Sequence, residues 1–295
     1  MSRAYLCVTI DCERDKGPGW RVARPASFRG VVDGMAARLA PLFAKHGVEP
    51  TWLLSPELLG DPGCVELFGR VPGELGTHLH AEYAEPGAGD PDVTQAFQRS
   101  YPEAEERAKL AWLTERFIAV FGRRPRSFRA GRFGIGPNTV PILAELGYAV
   151  DSSVTPHLRW DGFDFLGAPT QPYRPAPDAP GRPGDAPLWE VPVTIRKRLL
   201  PLAPPRWLRP TRASGRALAR LAAEEIAAAR RAAPDRPVVL CAMFHNVEVV
   251  PGASPYAATE RDASRILAAL DGLLAFAGRE GVAGIGLGRV AEILA

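Results

Sequence analysis

The chain is 295 residues long, with 46% hydrophobic and 23% charged residues, an ordinary globular composition that can bury one large core or two small ones. Its net charge of +3 is small for that length, so composition gives no argument for nucleic acid as a partner. No run approaches the roughly 18 apolar residues of a membrane span, and the four cysteines form neither a C-x-x-C pair nor a spaced framework. Asp11 interrupts the first apolar run before a signal-peptide core can form, which with thiols placed in strands predicts a cytoplasmic protein.

From the N-terminus, "AYLCVTI" (4–10) is a short β-branched run that reads as a strand, and an amphipathic helix follows from about Phe28 to His46. "PTWLLS" (50–55) reads as a second strand and "ELGTHLH" (74–80) as a third, entered through the turn residues "VPG". A long helix is expected over about 93–122, interrupted early by Pro102, and "SFRA" (127–130) is a brief strand. Pro137 opens a helix that ends at Gly147, and "YAVDSS" (148–153) is the next strand. A loop rich in Pro, Gly and Asp runs over about 156–187 before "LWEVPV" (188–193) returns to the sheet, where Pro192 marks an edge or a strand end. A basic loop covers about 195–216, and a helix at 212–233 leads to "PVVLCAMFH" (237–245), the strongest buried-strand signal. A helix over about 258–279 and the segment "VAGIGLGRVAEILA", read as strand and helix, complete the chain. Strands separated by helices predict a parallel sheet, and about seven such units predict a closed or nearly closed barrel formed by residues 1–295 as one domain.

The polar residues fall at strand ends. Asp11 and Glu13 follow the first strand, His78 and His80 finish the third, Arg129 ends the fourth, Asp151 lies on the fifth and His245 ends the "VVLCAMF" strand. In a parallel barrel these ends open onto one face, so residues more than two hundred positions apart converge there. Side chains two apart on a strand point the same way, so His78 and His80 can present both rings to one point, and Asp11 and Glu13 both carboxylates. Two imidazoles and a carboxylate suit Zn²⁺ with an open position, which activates water for hydrolysis. A second carboxylate then serves as base and a remote imidazole as acid. Taken singly, an H-x-H pair often lines a solvated loop, an acidic cluster often caps a strand, and His245 reads as a satisfied core histidine. Their joint placement is what points to a site.

These residues resemble the polysaccharide deacetylases with a NodB-type domain, also called carbohydrate esterase family 4. The motifs, in family order from residue 4 to about 260, are "VTIDCE", "ELGTHLH", "FRAGRFG", "YAVDSS" and "CAMFHNVEVVPGASPY". The resemblance implies a distorted (β/α)7 barrel and removal of an acetyl group, usually N-linked, from a sugar. It implies Asp11 as the catalytic base, Glu13 and His78 as metal ligands, Arg129 as support for Asp11, His245 as the acid and Asp151 as a tuning residue. The family commonly sets two acids side by side, whereas Cys12 separates Asp11 from Glu13 here. It also places a second histidine four residues after the first, where this chain has Glu82. The H-x-H form resembles a divergent branch in which His80 is expected to take over as ligand, with Glu82 the alternative.

The family further implies a divalent metal, most simply Zn²⁺, and an acetylated sugar or a glycosylated small molecule as substrate. Metal-free members that open cyclic amides or ureides, and a catalytically inactive carbohydrate-binding relative, are the alternatives on the same fold. Trp160, Trp189 and Tyr256 lie in segments where a flat ring can stack on a sugar, although Trp189 suits core packing better. The basic run 195–216, with Trp207 among its arginines, can meet a phosphate or another anion or be a solvated loop.

Overall fold

The computed structural model describes residues 2–89, 97–160, 163–198 and 203–295, with the side chain of Trp160 outside that description. Eight strands form one sheet: β1 (Ala4–Cys12), β2 (Thr51–Leu54), β3 (Glu74–Leu79), β4 (Ser127–Ala130), β5 (Val150–Asp151), β6 (Trp189–Glu190), β7 (Val238–His245) and β8 (Ala283–Gly284). Their order is β6-β5-β4-β3-β2-β1-β7, with β8 also on β1, and every pairing is parallel. β7 takes one edge of β1 from Ala4 to Asp11, while β8 and β2 divide the other edge. Between β6 and β7 the ring is drawn together by Thr194, whose N–H donates to the Cys241 carbonyl at 2.9 Å and whose Oγ1 accepts from Cys241 N at 2.8 Å. The result is the distorted (β/α)7 barrel that the resemblance implies, with the parallel sheet that the element order predicts.

The packing of β1 and β7 aims the chemistry. Leu6, Val8, Ile10 and Cys12 of β1, with Val238, Leu240, Ala242 and Phe244 of β7, join the main apolar core beneath the helices. With a period of two, the alternate residues Cys7, Thr9 and Asp11, and Val239, Cys241, Met243 and His245, therefore face the barrel interior. The register pairs Cys7 with Cys241, Thr9 with Met243 and Asp11 with His245. A smaller cluster containing Cys7, Cys241, Ile285, Leu287 and Val290 fills the interior toward the starts of these strands. The pattern that buries the core thus leaves Asp11 and His245 side by side at the open end.

The helices are α1 (Gly30–Leu39 in π geometry, then Ala40–His46 in α), α2 (Pro62–Arg70), α3 (Glu103–Phe121), α4 (Thr139–Glu145), α5 (Gly215–Ala232), α6 (Glu260–Arg279) and α7 (Val290–Ile293). α5 and α6 meet at two glycines, where a Cβ on Gly215 would come within 2.9 Å of the Gly272 Cα. α6 opens with a capping box between Thr259 and Asp262. None of the helices among the described residues is long and apolar enough to cross a membrane.

Four sequence expectations change. The long helix starts at Glu103 rather than near 93, because Pro102 occupies its N-cap and cannot continue a helix backwards; residues 93–96 lie outside the described residues. α2 is not foreseen by apolar periodicity, although Asp61 followed by Pro62 marks its start: the Asp61 side chain accepts from Cys64 N at 2.8 Å. The Pro-rich stretch over about 156–187 carries two antiparallel hairpins, Arg159–Trp160 with Phe163–Asp164 and Pro175–Ala176 with Ala179–Pro183. The basic stretch over about 195–216 holds a third, Ile195–Arg196 with Arg206–Trp207.

Candidate active site

Glu13, His78 and His80 are all buried and form a group whose ligand atoms lie within 4.8 Å of one another. His78 sits on β3 and His80 at the turn that follows, so the H-x-H spacing brings their rings to 4.8 Å between centroids. Glu13 Oε1 lies 3.2 Å from His78 Nε2 and 3.0 Å from His80 Nε2. The far side of the His78 ring fixes its tautomer. His78 Nδ1 is 3.0 Å from the Arg129 carbonyl, which only accepts, so Nδ1 carries the proton and Nε2 presents a lone pair. His80 Nδ1 meets both Glu82 Oε1 and Arg132 Nη1 at 3.3 Å. His78 Nε2 therefore turns a lone pair toward the Glu13 carboxylate oxygen that His80 Nε2 also faces, an arrangement that a cation relieves, and the donor set is one that Zn²⁺ accepts. Without a cation a proton does the same work: burial depresses the His80 pKa, but Glu13 and Glu82 outweigh it and push it up to about 9. Protons and metal compete for this pocket.

The second oxygen of Glu13 pairs with the buried Lys16 at 2.6 Å. Burial opposes a charge on Glu13, yet Lys16, then His80, hold its carboxyl well below the usual range. Asp11, 2% exposed, divides its oxygens in the same way: Oδ1 accepts from Arg129 at 2.7 Å, and Oδ2 lies 4.0 Å from His78 Nε2 and 3.9 Å from His245 Nε2. Burial raises the Asp11 pKa, but Arg129 foremost, with His78 and His245, brings it below the ordinary value. Arg129 is fully buried, and its remaining donors reach the Ser152 carbonyl at 2.8 Å and Ser152 Oγ at 2.9 Å.

His245 faces this group from β7, its Nε2 3.6 Å from Glu13 Oε1. Its Nδ1 donates to Glu248 Oε1 at 2.7 Å, and Arg209 and Thr211 bind the same Glu248 carboxylate. The Trp20 ring stands edge-on to His245 at 5.0 Å. Asp11, Glu13, His78, His80, His245 and Trp20 line a cavity of about 390 Å³, with Arg132, Arg209, Arg212, Trp207 and Tyr256 among its walls.

The structure thus brings together Asp11, Glu13, His78, His80, Arg129 and His245. Glu82 is also buried, but it lies on the outer nitrogen of His80 and accepts from Arg132 at 2.8 Å, so its place is behind His80 and not among the converging atoms. Asp151 lies deeper: its Oδ1 accepts from Ser153 at 2.5 Å, and its register partner on β6 is Glu190. The carboxylate on His245 is Glu248. Tyr256 lines the cavity with its ring 5.1 Å from that of Trp20. Trp189 does not line it but packs with Cys7, Val150 and Val191, its ring under Arg174 at 4.9 Å, because β6 turns it toward that apolar cluster. The Trp160 side chain lies outside the described residues.

Sequence reasoning passed over Lys16, Asn246, Glu248 and Glu190. Only Glu248 had a legible signal, an acid three positions after His245.

The order and pairing of the strands define a distorted (β/α)7 barrel of the NodB type. Among solved structures, a Mycobacterium smegmatis protein assigned as a polysaccharide deacetylase is 17% identical, with a TM-score of 0.55 over 99% of this chain and 91% of that one. Puue allantoinase is 15% identical, with a TM-score of 0.57 over 98% and 88%. A GH57-type branching enzyme from Pyrococcus horikoshii is 12% identical, with a TM-score of 0.59 over 98% and 70%. At these identities the shared property is the fold, which hosts more than one chemistry. No family profile and no curated protein matches the chain.

Proposed function

We propose that the protein is a metal-dependent hydrolase that removes an acetyl group, N-linked in preference to O-linked, from a sugar-containing substrate. The observation that carries this is the convergence of Glu13, His78 and His80, both imidazole Nε2 atoms lying within 3.2 Å of Glu13 Oε1, with the free oxygen of Asp11 and the Nε2 of His245 both facing the group. A divalent cation held by Glu13, His78 and His80, Zn²⁺ by its donor set, supplies Lewis-acid polarisation of the acyl oxygen and of water. Asp11 takes the proton of the attacking water on Oδ2, because Arg129 occupies Oδ1. Its lowered pKa keeps it ionised and ready for that step. As the C–N bond breaks, His245 Nε2 gives a proton to the departing amine, and Glu248 holds Nδ1 so that Nε2 stays aimed inward. In this reading Glu248 is the carboxylate that orients His245. Trp20 and Tyr256 at the cavity wall offer faces for a sugar ring.

Metal analysis combined with acetate release from acetylated sugars tests this. The expected result is about one equivalent of zinc and activity abolished by a chelator and restored by zinc. Chelator-resistant ring opening of a cyclic ureide by metal-free protein would overturn it in favour of an amidohydrolase on the same fold.

A further inference from the structure

We infer that the substrate carries a phosphate group, received by a basic cleft that adjoins the catalytic cavity. The sugar's position rests on the acetyl-hydrolase reading; the anion site rests on separate observations.

The cleft has a volume of about 630 Å³ and is walled by Arg198, Arg206, Arg212 and Arg220, with no acidic side chain lining it among the described residues. Trp207 and Arg212 line both this cleft and the catalytic cavity, so the two spaces meet across them. The four guanidiniums share a single carboxylate. Arg220 reaches Glu224 at 2.9 Å and Arg206 binds the same Glu224. Arg198 spends one N–H on the Pro204 carbonyl at 3.1 Å and, like Arg212, meets no carboxylate within ion-pair distance among the described residues. The other arginines at the catalytic mouth are already matched, Arg132 to Glu82 and Arg209 to Glu248.

Surface arginines are commonly solvated without function, but here the surplus is local. Neighbouring cavities of ordinary ligand size, one holding the hydrolytic group and one holding unmatched forks, fit a substrate that spans both. Several clustered guanidiniums match the multiple charges and oxygens of phosphate better than a single carboxylate. The acetylated sugar then lies between Asp11 and Trp207, with its phosphate beyond Trp207 toward Arg198.

Two measurements on the full chain separate this proposal from the hydrolase reading. Calorimetric titration with inorganic pyrophosphate needs no catalysis: the wild type should bind in a salt-sensitive manner, and Arg198→Ala/Arg212→Ala about tenfold or more weakly. Acetate release should show a higher kcat/KM for N-acetylglucosamine 1-phosphate than for N-acetylglucosamine, and Arg198→Ala should narrow that preference through KM. UDP-N-acetylglucosamine and N-acetylglucosamine diphosphate on a short prenol then distinguish a soluble nucleotide carrier from a lipid one. Arginine-dependent pyrophosphate binding without any acetate release would sink the deacetylase reading and leave the anion site standing. Equal pyrophosphate binding by both proteins, no binding at all, or preference for a neutral or uronic sugar would overturn the phosphate site.

Discussion

Asn246 clamps the main chain of Glu13: its Oδ1 accepts from Glu13 N at 2.9 Å and its Nδ2 donates to the Glu13 carbonyl at 3.0 Å. The clamp ties the end of β1 to the turn after β7, so the Glu13 carboxylate is positioned by a side chain bound to its main chain. Gly30 leaves room for this, since a Cβ there would stand 2.7 Å from Asn246 Nδ2. Asn246→Ala should weaken zinc binding by about 10–100-fold and, by leaving buried backbone groups unpaired, cost about 1–3 kcal/mol of stability. Zinc competition titration and denaturant unfolding check the two parts; unchanged affinity would mean that Glu13 holds its place without help.

Ligands and their supports should separate by metal content. Glu13→Ala, His78→Ala and His80→Ala remove a donor outright and should purify without stoichiometric zinc. Glu82→Gln should keep the metal with affinity lowered by about 10–100-fold, because it alters only the partner of His80 Nδ1. Zinc content lost in Glu82→Gln but kept in His80→Ala would reverse those two assignments.

Asp11→Asn should retain zinc but slow acetate release by about 10²–10⁴-fold, since the amide keeps the contact with Arg129 and cannot accept a proton. Release at the wild-type rate would remove Asp11 from the chemistry. Glu248→Gln should give a smaller loss, confined to kcat, by loosening His245.

A buried carboxyl pair gives the fold a pH dependence of its own. Asp151 and Glu190 are both fully buried neighbours at the ends of β5 and β6. Burial raises the Asp151 pKa to about 6, and burial together with Asp151 raises that of Glu190 well above the carboxylate range. Folded-state pKa values above the unfolded ones mean that the folded chain binds more protons. The pair's contribution is therefore complete below the unfolded carboxyl pKa of about 4 and declines as pH rises through about 6 and beyond. Glu190→Gln, which keeps a donor but cannot ionise, should flatten this decline. Tm measured from about pH 5 to pH 8 checks it, and parallel curves for the two proteins would show that the pair does not titrate in that window.

The barrel was legible because its strands are short apolar runs buried on both faces. β1 and β7 alternate between helix core and barrel interior, so their final inward residues, Asp11 and His245, are bound to arrive at the same mouth once the sheet is parallel. The H-x-H spacing of His78 and His80 carried the metal hypothesis for the same reason. α2 escaped because a single capping pair, Asp61–Pro62, announces it, and the true start of α3 depended on what Pro102 forbids rather than on any apolar period.

What the sequence by itself determined is thus the ring of strands and the set of groups at its open end, since both follow from periodicities of two and 3.6 residues acting locally. Which group meets which was decided only by the tertiary structure: Asn246 on Glu13, Glu248 on His245 and Glu82 behind His80. Hydrogen bonds of this kind join side chains tens to hundreds of positions apart, and their partners are chosen by strand register and loop closure, for which no local pattern in the chain encodes a distance.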